Sequence, residues 1–131
     1  MTTGPGKGDR GLLQRVLSAL GELRSPFALE ENDLHSAVAQ RLAEAGLPYR
    51  HEASIGPGCR IDYLVGDVGI EIKNGRPNEA GLKRQLARYA ACPAIGALVV
   101  LAPRSVRLPD SMLGKPVQML ALNQLWGVAL P

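Results

Sequence analysis

The residues best equipped for chemistry lie in one stretch, Arg60-Ile61-Asp62-Tyr63-Leu64-Val65-Gly66-Asp67-Val68-Gly69-Ile70-Glu71-Ile72-Lys73. Two alternating runs flank Gly66-Asp67, a dipeptide suited to a two-residue hairpin turn. Such a turn sets a register: Val65 with Val68, Leu64 with Gly69, Tyr63 with Ile70, Asp62 with Glu71, Ile61 with Ile72, and Arg60 with Lys73. Strand side chains alternate between faces. Ile61, Tyr63, Val65, Val68, Ile70 and Ile72 are therefore expected on one apolar face, with Arg60, Asp62, Glu71 and Lys73 on the other. Asp62 and Glu71 would then face each other with Cβ atoms about 5 Å apart. Like charges at that spacing destabilise a sheet unless something positive lies between them. A divalent cation such as Mg²⁺ or Mn²⁺ meets that need, accepting one or two carboxylates and filling the rest with water and phosphate. Lys73 projects on the same side, where its ammonium can offset charge on a phosphate or lower the pKa of an attacking water. The same string also suits an exposed hairpin face on which Arg60 and Lys73 merely balance the acids.

Flanking elements must position this hairpin. Leu12, Leu13, Val16, Leu17, Leu20 and Leu23 recur at helical spacing and predict an amphipathic helix over residues 11–24, ended by Ser25-Pro26. Such a helix caps the domain or offers a dimer face. Leu34, Val38, Leu42 and Ala45 predict a second helix over residues 31–45, stopped by Gly46 and Pro48. Residues 49–53 form a short candidate strand, and Ile55-Gly56-Pro57-Gly58 a turn. After a loop with Gly75 and Pro77, a third helix is expected over residues 78–91, a buried strand over 95–101 and a last strand over 117–122. Trp126 is expected to pack on the core. The predicted order is α-α-β-β-β-α-β-β, without repeat or linker: a flexible tail over residues 1–10 and one domain over 11–131.

An acid before the hairpin, then Asp62, then Glu71-Ile72-Lys73, then a helix and a buried strand, resembles the PD-(D/E)XK nuclease superfamily over about residues 31–101. The resemblance implies an α/β fold with a restriction endonuclease-like αβββαβ core, a central mixed sheet flanked by helices, and an extra N-terminal helix. It also implies that Asp62, Glu71 and the Ile72 backbone carbonyl hold the catalytic metal while Lys73 assists hydrolysis. Ile61 stands where the nominal motif has proline, a loosely held position. Gln85 and Tyr89, four apart and so on one helical face, look like the Q-x-x-x-Y motif of RecB-like and related exonuclease branches. Without that context Tyr89 reads as core and Gln85 as a solvent residue. The resemblance further makes Glu31 a candidate metal ligand, with Glu30 as fallback and His35 and Glu52 as weaker additions. Glu31 equally suits a helix N-terminal acid facing the macrodipole. Arg60, Arg76, Lys83, Arg84 and Arg88 are candidate contacts to nucleic-acid phosphates.

Bulk properties narrow the field less. The 131 residues carry a formal net charge of +3, which permits a polyanionic partner without demanding one. The two cysteines, Cys59 and Cys92, lie far apart and outside any C-x-x-C pair, which argues against a zinc ribbon or disulfide scaffold and for two reduced small hydrophobes. No stretch reaches the ~18 apolar residues of a membrane span, and the Gly/Thr-rich start lacks an apolar signal core. A cytoplasmic, Mg²⁺- or Mn²⁺-dependent nuclease is the resulting expectation, with DNA as favoured partner and a homodimer possible. Junction resolvase, exonuclease, restriction-type and RNA-directed readings stay open. The competing class is an inert module of the same fold that binds nucleic acid or protein within a complex.

Overall fold

The structure, a computed structural model, describes residues 10–23, 31–75 and 77–125, with backbone only for residues 10 and 31–33. It is a mixed α/β fold with four helices and one six-stranded mixed sheet. The helices are α1 (Arg10–Leu20), α2 (Glu31–Glu44), α3 (Glu79–Ala90) and α4 (Leu122–Leu125). The strands are β1 (Arg50–Gly56), β2 (Cys59–Val65), β3 (Val68–Ile72), β4 (Ala97–Ala102), β5 (Ser111–Met112) and β6 (Lys115–Ala121). Their order across the sheet is β1-β2-β3-β4-β6-β5. The pairs β1/β2, β2/β3 and β5/β6 are antiparallel, whereas β3/β4 and β4/β6 are parallel.

A sheet carrying helices on both sides needs two apolar faces, and β3 and β4 supply them: every residue of both strands is buried. On one face Tyr63, Val65, Val68, Ile70, Ile72, Val99 and Leu101 pack beneath α1 and α2. On the other, Ile61, Leu64, Leu98 and Val100 pack beneath Leu82, Leu86 and Tyr89 of α3. The leucine stripe of α1 is buried against this first face, so that helix caps the sheet and its apolar side is used within the chain. The helix also stops at Leu20, earlier than its leucine pattern extends, although Leu23 is still buried. Among the described residues no helix is long and apolar enough to cross a membrane.

The cap signals operate as their chemistry requires. Gly46 ends α2 with φ +73°. Asn78 caps α3, its side-chain oxygen accepting from the Gly81 amide at 2.7 Å. Lys115 closes the other end of α3, its ammonium donating to the carbonyls of Ala90 (2.7 Å) and Cys92 (3.1 Å). Two elements have no counterpart in the predicted order, the two-residue β5 and the four-residue α4, and β6 begins at Lys115, two residues early. The proposed packing of Trp126 and the tail before Arg10 lie outside the described residues.

Candidate functional site

The hairpin turns at Gly66, whose φ of +59° suits a residue without Cβ. Val65↔Val68, Leu64↔Gly69 and Tyr63↔Ile70 pair as the turn dictates. There the ladder stops. The predicted pairs Asp62–Glu71, Ile61–Ile72 and Arg60–Lys73 do not form, because β2 and β3 part at Asp62. In place of a strand carbonyl, the Asp62 carboxylate fills the gap: its Oδ2 accepts from the Ile72 N–H at 2.8 Å. A strand residue's N–H and C=O project to the same edge, so the Ile72 carbonyl faces this gap too.

Ile61 is the second correction. It belongs with Leu64 on the α3 face, not with Tyr63 and Val65. The same change of face shows on the neighbouring strand. His51↔Tyr63 and Ala53↔Ile61 are ladder pairs two residues apart and should share a face. Instead, His51 stacks on Tyr63 at 4.6 Å on the α2 face while Ala53 and Ile61 are buried on the α3 face. Between them Glu52 has φ +51°, a left-handed conformation unusual for a side-chain-bearing residue. Both strands change face at this point without a shift of register. Ile61 thereby reaches Gly69, where an added Cβ would sit 2.5 Å from the Ile61 Cδ1.

Glu71 faces α3 and is only 5% exposed, the one buried charged side chain among the described residues. One carboxylate oxygen, Oε2, pairs with the Lys73 ammonium at 3.0 Å. The other, Oε1, lies 3.1 Å from the Tyr89 hydroxyl, which also reaches the Arg60 carbonyl at 3.0 Å. One phenolic proton serves both acceptors, and Gln85 Nε2 donates to the same hydroxyl at 2.8 Å. Burial, then the Asp62 charge, raise the Glu71 pKa above its ordinary value, against the lowering effect of Lys73 and of the Tyr89 hydrogen bond. Burial and the Glu71 charge push the Tyr89 phenol up as well, so it stays protonated and acts as a donor. Two carboxylates, one ammonium and an inward-facing carbonyl thus meet where the strands part.

No family model, no curated protein and no solved structure matches the chain. The site must therefore be weighed on its own geometry. Asp62, Glu71, Ile72, Lys73, Gln85 and Tyr89 come together, as does the backbone of Arg60. Lys83 pairs with Glu79 along the exposed side of α3 at 3.1 Å, while Arg84 and Arg88 are exposed on the same helix. His35 is not part of this group: it packs with His51 and Tyr63 on the α2 face, its carbonyl accepting from the Tyr63 hydroxyl at 3.0 Å. Glu52 is exposed at the kink. The Glu31 side chain, Glu30 and Arg76 lie outside the described residues. Among the described residues no three His, Cys, Asp or Glu side chains converge as a ready-made metal cage. The roles of the Ile72 amide and the Arg60 carbonyl carry no sequence signal, since any residue supplies both groups.

Proposed function

We propose that this chain is a Mg²⁺- or Mn²⁺-dependent nuclease that hydrolyses phosphodiester bonds, with DNA as the favoured substrate. The observation that carries the reading is the meeting of Asp62 and Glu71 at the parting of β2 and β3, with Lys73 and Tyr89 bound to Glu71. The run α2-β1-β2-β3-α3-β4 supports it further, having the αβββαβ order of the PD-(D/E)XK nucleases that the motif resembles.

The donor set suits a hard cation. It consists of carboxylate and carbonyl oxygens, and one ammonium against two carboxylates leaves the cluster with an unbalanced negative charge. Asp62, Glu71 and the Ile72 carbonyl would hold the ion, with Glu31 as a further candidate from the start of α2. When bound, Mg²⁺ or Mn²⁺ supplies a Lewis acid for a phosphate oxygen and lowers the pKa of a coordinated water. The chain's own residues do the positioning. The Ile72 amide fixes Asp62 by one oxygen and leaves the other to turn into the gap. Tyr89, itself oriented by Gln85, holds Glu71 by one oxygen. Lys73 orients the attacking water and offsets charge growing on the phosphate. Burial of Glu71 in a low-dielectric wall strengthens each of these interactions.

Cleavage of labelled linear, nicked, flapped and four-way DNA, with Mg²⁺ or Mn²⁺, tests the reading and separates exonuclease, flap and resolvase activities. Asp62→Ala, Glu71→Ala and Lys73→Ala should each abolish cleavage while circular dichroism stays native. Equal cutting without Asp62 and Glu71 would sink the assignment. Calorimetric titration with Mn²⁺ distinguishes an inert binding module, which would show no heat or a heat unchanged by Asp62→Ala.

A further inference from the structure

The two cysteines, 33 positions apart in the chain, are neighbours in the fold. Cys59 opens β2 and pairs across the ladder with Gly56. Cys92 follows α3, and a Cβ added at Gly56 would lie 3.3 Å from the Cys92 Sγ and 4.0 Å from the Cys59 Cβ. The Cys92 thiol donates to the Arg88 carbonyl at 3.4 Å, and Cys92 stands close enough to Cys59 to help raise its pKa. Both are free thiols and both are partly exposed, and Cys59 lines a surface groove with Ser54, Gly58 and Arg60. Their frame is firm: the Cys92 amide donates to the Tyr89 carbonyl at 2.9 Å, and the Cys92 carbonyl accepts from Lys115.

We infer that Cys59 and Cys92 form an oxidant-sensitive dithiol, which hydrogen peroxide converts to an intramolecular disulfide clamping β2 to the end of α3. The chemistry balances in two steps. One thiolate attacks a peroxide oxygen, the O–O bond breaks, and a sulfenic acid and one water result. The second thiol then attacks that sulfur, the S–O bond breaks, a second water leaves, and the disulfide forms. Two electrons pass from the thiol pair to the peroxide. Burial keeps the Cys59 pKa above its ordinary value, so formation should quicken as pH rises. The bond would bracket the Tyr89–Arg60 contact, because Cys59 adjoins Arg60 and Cys92 lies one helical turn beyond Tyr89. This inference is independent of any cleavage activity.

Hydrogen peroxide is the probe, and the readouts are intact mass, free-thiol labelling and Tm. The full chain should lose two hydrogens and both free thiols, at a rate independent of protein concentration. Its Tm should rise by about 5–10 °C, since the bond closes a long loop. Dithiothreitol should reverse all three changes. Cys59→Ser and Cys92→Ser should each gain oxygen or dimerise, with no rise in Tm. Oxygen adducts or intermolecular dimers in the wild-type chain, without loss of two hydrogens, would overturn the inference. So would a disulfide that leaves Tm unchanged or lowered, since the thiols would then not be pre-aligned.

Discussion

Glu71 pulls in two directions. Buried at 5% exposure beside Asp62, its carboxylate is harder to ionise than an ordinary glutamate despite Lys73 and Tyr89. For an acid whose folded pKa is raised, the stabilising contribution is full below the unfolded value, 4.5, and is lost as pH rises through the folded value. At neutral pH the charge therefore costs stability, and the expected compensation is cation binding. Glu71→Gln should raise Tm by a few °C at pH 7, with the gain vanishing below about pH 4, as thermal melts across pH will read. If the proposed site holds Mn²⁺, the wild-type chain should gain about 2.7 kcal/mol of stability at a hundred times Kd, and the same variant should lose that gain. A variant that melts lower at pH 7 would mean that the Lys73 pair outweighs burial. Tyr89 offers the complementary test. Tyr89→Phe strips a donor from Glu71 and from the Arg60 carbonyl, so it should destabilise by about 1–2 kcal/mol in urea melts. It should also move Mn²⁺ binding to higher pH, because a hydrogen bond that lowers the Glu71 pKa is gone.

The change of face of β1 and β2 beside Glu52 was not legible beforehand. Strict alternation assigns Ile61 to the face of Tyr63, whereas in the structure the faces change opposite Glu52, whose φ is +51°. Glutamate carries no signal for that conformation, as glycine or asparagine would. The turn at Gly66 and the three pairs beside it were legible, because turn type sets register over a short reach. The Asp62–Glu71 pairing failed for the reason that makes the site: the strands part there and a carboxylate replaces a ladder partner. Gln85 and Tyr89 were expected on one helical face, since a helix keeps its phase over four residues, and in the structure Gln85 donates to the Tyr89 hydroxyl, which reaches Glu71. Elements of two and four residues, β5 and α4, are too short to show any period. Two substitutions probe the kink. Glu52→Gly should stabilise by about 0.5–1 kcal/mol by relieving the left-handed strain, whereas Glu52→Val should destabilise by more. Gly69→Ala should cost about 1–3 kcal/mol, since its new methyl meets Ile61 and Ile95 from the α3 side. Denaturant midpoints at constant m-value read all three.

At the scale of the whole molecule, the sheet divides the chain into two unequal layers. Among the described residues, helices α1 and α2 cover one face and α3 covers the other, over the strand that carries Glu71. Helix α3, whose Gln85 and Tyr89 reach the candidate site, bears Arg84 and Arg88 exposed, with Lys83 already engaged by Glu79. A duplex bound beside α3 would find those two guanidinium groups available to its phosphates. Phosphate contacts carry affinity through counterion release and little sequence information. Replacing both with alanine should thus weaken DNA binding similarly for every sequence and flatten the log K against log salt slope by about 2. Thermal stability should barely change, because exposed residues off the core contribute within about 0.5 kcal/mol. Lys83→Ala should do less to the salt slope, its charge being partly offset by Glu79. Fluorescence anisotropy over a salt series provides the measurement. A slope unchanged by the double variant would place the nucleic-acid contact off α3, or remove a polyanion as the partner altogether.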